Sequence, residues 1–297
     1  MAKRLNTMTV QRTEQITPHM IRVWLGGEGF DGFAPAGGSG SGAAGDHDTD
    51  MYVKFLFAPD GVTYPRPLDM DAIRSTYPAD QQPVLRTYTV RRYDPAAREI
   101  AVDFVVHGDE GIAGPWAARV QPGETVDFLG PGSGYRPDPA APWHLLVSDE
   151  AGLPALAAAL EALPAAAVAK VFIEVSGPED ELELTAPAGA DITWVHRGAA
   201  SNEAGDDASG DNAPVIAAVR DAEWLDGEPH VFIHGEAQAV MKNLRGYVRK
   251  ERGVSAKRAS SISGYWRRGR TEEGFRQWKA EQRAAEEPDK KRFSFRR

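Results

Sequence analysis

The chain has 297 residues, 42% hydrophobic and 26% charged, which suits one large domain or, more naturally, two of roughly 150 residues with cores of their own. It contains no cysteine, so disulfides, cysteine-ligated zinc and iron–sulfur clusters are excluded, and redox chemistry needs an organic cofactor or histidine and carboxylate ligands. The net charge of −9 is uneven: of 34 basic and 43 acidic residues, 18 and 7 fall from Met241 onward, which leaves 16 and 36 before it.

The opening residues lack the apolar run of a signal peptide, and no stretch approaches the roughly 18 apolar residues of a membrane span. A cytoplasmic protein with no membrane insertion is expected. Residues 20–24, 51–57, 84–90, 100–106 and 125–129 are β-branched or aromatic runs parted by turn-rich segments, the pattern of an antiparallel barrel or sandwich. The Gly/Ser/Asp-rich stretch 35–50 reads as a surface loop.

Near Pro142 the style changes. Residues 144–147 (HLLV) suit a buried parallel strand, and Leu153, Leu156, Leu160 and Leu163 follow at helical spacing. Strands over 170–175, 192–196 and 230–234 alternate with helices near 215–220 and 236–253. This β-α-β alternation predicts a doubly wound parallel sheet. An acidic loop, 199–212, interrupts it. The expected organisation is therefore an antiparallel β-barrel domain over residues 1–139, then an α/β domain over 140–297. That second domain ends in a basic helical arm from about residue 254. A barrel that comes first, and the lack of GxGxxG after any strand, exclude a standard N-terminal Rossmann dehydrogenase.

Residues 86–91 (RTYTVR) are the most informative. Residues two apart on a strand share a face, so Arg86, Tyr88 and Val90 lie opposite Thr87, Thr89 and Arg91. A cofactor with a flat ring and a pyrophosphate needs an aromatic plane and a guanidinium, which Tyr88 and Arg86 offer. Thr89 supplies a hydroxyl for the ring's reactive nitrogen. An amphipathic barrel strand with two surface arginines would read the same way. Asp103 and His107 then lead into Gly111, Ile112, Ala113, Gly114, Pro115, Trp116 and Ala117. Glycines followed by a first-turn proline mark a helix start, where free backbone N–H groups meet an anion; a tight turn would fit as well.

Taken in order, RTYTVR, DFVVHGDEGIAGPWA, SDEAGLPA, HGEAQAV and ISGYWRRGR span nearly the whole chain and resemble the siderophore-interacting protein family, a branch of the ferredoxin-reductase superfamily. The resemblance implies an FAD-binding barrel followed by a nicotinamide-binding α/β domain, and no protein-bound metal. It places Arg86, Thr87, Tyr88, Thr89 and Arg91, with Asp103, His107 and the 111–117 turn, around FAD, with Thr89 nearest the flavin N5. It places Ser148, Asp149 and Glu150 in the dinucleotide turn, and Gly235 and Glu236 at a strand's carboxyl end. The Asp149-Glu150-Ala151 segment departs from the usual glycine-rich turn. Ser176 and Arg197 are positioned to hold a 2′-phosphate, whereas Glu179 and Asp180 argue for NADH over NADPH.

The implied activity is reduction of Fe(III) in a siderophore, with release of Fe(II), by a monomeric enzyme. The basic arm, opened by Trp266, Arg267, Arg268 and Arg270, would attract the anionic ferric chelate. A solvated basic helix docked on the acidic body is the competing reading. Phe275 and Trp278 are expected to bury that helix. Two further functions remain open. The flavin could exchange electrons with a ferredoxin or flavodoxin, or the chain could bind ferric chelates without catalysis. No nucleic-acid partner is expected, since the body is acidic and the arm carries no recognised signature.

Overall fold

The computed structural model describes residues 4–37, 47–109, 111–270, 274, 275, 277, 278 and 281. Most of the glycine-rich loop, Glu110 and most of the arm beyond Arg270 therefore lie outside the described residues. Six strands close an antiparallel barrel in the order β1-β2-β5-β4-β3-β6. They are β1 (Leu5–Thr17), β2 (Met20–Gly26), β3 (Tyr52–Phe57), β4 (Val84–Asp94), β5 (Glu99–Val105) and β6 (Thr125–Gly132).

Alternation fills the barrel. Val53, Phe55 and Phe57 of β3 meet Ile100, Val102 and Phe104 of β5 in one core, with Phe55 and Phe104 fully enclosed. The outward residues of β5 are covered too: Asp103 is opposite Arg22 of β2, which grips it with two hydrogen bonds of 2.6 and 2.8 Å. The 13-residue β1 has no counterpart among the apolar runs of the sequence. Only Met8 and Val10 of its outer length are core residues, and residues 11–15 are exposed, so little apolar periodicity marks it. Helix α1 (Met70–Thr76), capped by Asp69 through the N–H groups of Asp71 and Ala72, was likewise not anticipated. Helix α2 (Ala113–Arg119) closes one end of the barrel.

The second domain is a five-stranded parallel sheet ordered β11-β10-β7-β8-β9. Its strands are β7 (His144–Ser148), β8 (Val168–Val175), β9 (Gly189–His196), β10 (His230–Glu236) and β11 (Ser261–Trp266). Helix α3 (Leu153–Glu161) follows β7, and α4 (Pro214–Asp221) precedes β10. The helix after β10 is not regular α: it contains two π-helical stretches, Gln238–Leu244 and Tyr247–Glu251, a distortion frequent at functional sites. Strand β11, which the sequence assigns to the basic arm, is an edge strand of the sheet, paired in parallel with β10. Its serine and glycine disguise it.

The two domains share an apolar seam in which Met20 and Tyr135 pack with Leu146, Leu153, Leu156 and Phe232. Burying each such large side chain is worth about 1.5–3 kcal/mol. Polar links cross the same boundary: Arg91 with Glu161, His19 with Asp180, and His107 with Ser201. Among the described residues, no helix is long and apolar enough to cross a membrane. No cluster of three or more metal-ligating side chains occurs among them.

Candidate functional site

Strand β4 presents its two faces to different neighbours. Arg86 and Tyr88 share the barrel-side face with Phe55 and Val53, their register partners on β3. The Tyr88 ring stands 4.3 Å from Phe104 and 6.1 Å from Phe55, so half of it is fixed by the core while the residue stays partly exposed. Arg86 donates to the Leu85 carbonyl at 2.9 Å and remains half-exposed. On the opposite face, Thr87 is exposed, Thr89 is buried, and Arg91 is held by both oxygens of Glu161 on α3.

The Thr89 side chain lies beside the phenol of Tyr265 on β11. The phenol of Tyr265 is held above its ordinary pKa by burial and by the nearby Asp50 charge, so it stays protonated. Its ring lies 4.6 Å from His234 at the end of β10. The barrel strand with the RTYTVR motif therefore abuts the carboxyl edge of the parallel sheet, where open α/β sheets bind ligands.

The turn before α2 is open. Ile112 occupies the N-cap without a side-chain hydrogen bond, which leaves the first-turn N–H groups uncapped by side chains. Gly108 (φ 56°) and Gly111 (φ 78°) adopt the left-handed backbone, and nothing lies within 4 Å of where a Cβ would stand. Uncapped amides, open glycines, a half-exposed guanidinium and a half-exposed tyrosine ring fit the pyrophosphate and flat ring of FAD.

At the carboxyl edge of the sheet, one carboxylate organises three strand ends. Asp149 Oδ1 accepts from Ala151 N (2.9 Å) and Gly152 N (3.2 Å) in the turn into α3. Its Oδ2 accepts from Glu236 N (2.8 Å) after β10 and from Trp266 Nε1 (2.7 Å) on β11. Burial and the neighbouring Glu150 push its carboxyl up to about 6 despite those bonds. Gly152 must be glycine because a Cβ there would lie 2.6 Å from the His234 carbonyl.

A cleft opens beside this hub. Ser148, Asp149, Glu174, Arg197, Ser201, Ser209, His234, Gly235, Trp266 and Arg268 are among the residues that line it. Ser148, 2% exposed, has no partner for its Oγ, and Arg268 Nη1 is enclosed without one.

Several residues expected to meet ligand have other partners. Asp103 is occupied by Arg22. Ala113 and Ala117 are core residues, and Trp116 packs 5.3–5.9 Å from Phe104, Phe57 and Phe55. Gly114 and Pro115 are buried in the first turn. Glu236 caps its own helix, its Oε2 accepting from Gln238 N and Ala239 N, while Gly235 approaches Asp149 closely. Arg197 is no free 2′-phosphate ligand, because Glu150 and Glu174 take both ends of its guanidinium. Ser176 is buried next to it, its carbonyl accepting from Gly198 N.

The arginines also separate. Trp266 and Arg268 belong to the cleft, whereas Arg267 bonds Gln238 and lies 4.8 Å over Trp278, and Arg270 is exposed. Phe275, 2% exposed, stacks on Trp278 as the arm begins. Tyr265, Glu174, Ser201 and His234 were not singled out from sequence. The one available signal was the Tyr-Trp pair directly before three arginines.

Comparison with known proteins agrees with this geometry. A model of the siderophore-interacting FAD-binding domain matches residues 9–135, and one of the siderophore-interacting protein matches residues 141–269. An uncharacterised protein of Mycobacterium tuberculosis is 54% identical over 285 residues, covering 95% of this chain and 97% of that one. Ferric vibriobactin reductase of Vibrio cholerae is 30% identical over 270 residues, covering 89% and 90%. The crystal structure of a siderophore utilization protein from T. fusca superposes with a TM-score of 0.71 at 32% identity, covering 91% of this chain and 95% of that one. The chain belongs to the siderophore-interacting protein family, with an FAD-binding barrel joined to a ferredoxin-reductase-like α/β domain.

Proposed function

We propose that the protein is an FAD-dependent reductase of ferric siderophores that draws electrons from a nicotinamide nucleotide in the cytoplasm. The observation that carries this reading is the approach of Thr89 on β4 to the buried phenol of Tyr265 on β11. It joins the FAD-type strand of the barrel to the carboxyl edge of the sheet, so a ring seated at Thr89 would lie beside the cleft. Bound FAD would accept two electrons together and release them singly, as one-electron reduction of Fe(III) requires.

The chain's own residues supply position and electrostatics. Arg86 would fork onto the pyrophosphate, with the uncapped turn before α2 as its second support. Tyr88, braced by Phe104, would offer its partly exposed side to the ring, while Thr89 and Tyr265 would fix the ring's polar edge. Ser148 and Arg268 would meet the nucleotide in the cleft. Arg267 and Arg270, outside it, would raise the local concentration of an anionic chelate. Reduction is also the release step, since the chelator holds Fe(II) far less tightly.

The purified protein should show the yellow absorbance of a flavin. Arg86→Ala should weaken FAD binding by roughly 1.5–3 kcal/mol, the worth of a charge-assisted hydrogen bond, and shed flavin on gel filtration. A colourless wild-type protein reconstituted with FAD to no effect would contradict the proposal. Full flavin retention in Arg86→Ala would contradict the role given to Arg86.

A further inference from the structure

At the carboxyl ends of β8 and β9, the cation best placed to meet the adenosine end of a nucleotide is already consumed. Arg197 has a side chain 3% exposed, with one Nη 2.5 Å from Glu150 Oε1 and the other 2.9 Å from Glu174 Oε1. The second oxygen of Glu174 accepts from Val215 N at 3.0 Å, at the start of α4. Each member of this triad is satisfied by the others or by backbone. Withdrawing the guanidinium toward a phosphate would strand two buried carboxylates, which is strongly destabilising.

The surroundings repel a further anion. Beyond β8 the chain carries Glu179, Asp180 and Glu181, the last two held by His19 and His196. Across the cleft, Ser201, Ser209 and Gly210 belong to the segment 199–213, which contains Glu203, Asp206, Asp207 and Asp211 and neither lysine nor arginine. Asp211 pins this segment to Gln238 and Asn243, so the acidic wall is held beside the cleft. A 2′-phosphate brings close to two negative charges into that field, whereas a 2′-hydroxyl asks only for an acceptor. Independent of these charges, the unpartnered Ser148 Oγ and Arg268 Nη1 mark the cleft as a place built for a polar ligand.

Resting on the reading of this cleft as the nucleotide site, we propose that the Glu150–Arg197–Glu174 triad and the acidic wall make the protein select NADH over NADPH. The discrimination is carried by the capture of Arg197 between its two carboxylates and by repulsion from the wall, two terms that act in the same direction. Salt should weaken the wall's share, because its carboxylates are exposed.

The test is isothermal titration of the full-length, FAD-loaded protein with ADP-ribose and with 2′-phospho-ADP-ribose, which carry the discriminating end and no hydride. ADP-ribose is expected to bind at least about tenfold more tightly. Asp206→Ser with Asp207→Ser, both exposed, should tighten binding of the phosphorylated ligand and leave ADP-ribose unchanged. Equal affinities, or tighter binding of the phosphorylated ligand, would overturn the selection while leaving the cleft a nucleotide site. If neither ligand bound, the donor half of the proposed function would fall, and this inference with it.

Discussion

Asp149 shows how a single residue can look like a ligand contact and act as a joint. The family resemblance implies a dinucleotide turn here, one without the usual glycines, and in the structure Asp149 accepts four hydrogen bonds instead. Its carboxylate ties β10 and β11 to the turn after β7. Asp149→Asn would face the Trp266 and Glu236 N–H groups with an amide donor, or turn that donor on Ala151 and Gly152. Either way buried donors lose their acceptor, at about 1–3 kcal/mol. Urea unfolding should report that loss, and Trp266 fluorescence should shift as its Nε1 is released. An unchanged midpoint and spectrum would show that Asp149 is not the joint described here. Its distant partners were not legible in the sequence, because Glu236 lies 87 residues and Trp266 117 residues from Asp149.

At the scale of elements, the short apolar runs translated directly into strands, since an all-buried run such as β7 has one natural place, the middle of a parallel sheet. Strands β1 and β11 escaped because half of each is polar or glycine and their pairing is decided by distant partners. The RTYTVR strand was found, and its alternation was read correctly as two faces. What the sequence could not show is that its outer face meets α3 and β11, through Arg91 and Thr89. The docking of α3 has its own requirement. Gly152→Ala would drive a Cβ to 2.6 Å from the His234 carbonyl and 2.8 Å from Ser148 Cβ, both in rigid strands. Such overpacking costs about 1–3 kcal/mol, and the midpoint of thermal or urea unfolding should fall accordingly. A variant as stable as wild type would mean that α3 is free to shift away from the sheet.

Across the whole molecule, the two ends of β7 respond to acid in opposite senses. His144, 1% exposed at its start, is held down to about 4 by burial and by the neighbouring His230. The unfolded chain takes up that proton first, so the stability tied to neutral His144 is present above about pH 6.5 and is lost as pH falls toward 4. Asp149, past the other end, is pushed up to about 6, so the folded state binds its proton first and gains stability over much the same descent. His144→Leu should therefore shrink the drop in Tm between pH 7 and pH 5. A drop as large as in wild type would contradict that assignment. The central claim, that a flavin at Thr89 stands between a nucleotide in the cleft and iron outside it, is tested most directly by anaerobic stopped-flow on the FAD-loaded protein. Flavin bleaching by NADH reads the first half-reaction, and its recovery on adding an anionic ferric chelate reads the second. Ser148→Ala should slow bleaching about tenfold, the worth of one hydrogen bond, and leave recovery unchanged, while Thr89→Ala should slow both. A Ser148 variant that slowed recovery alone, or a Thr89 variant that altered neither half, would contradict the account.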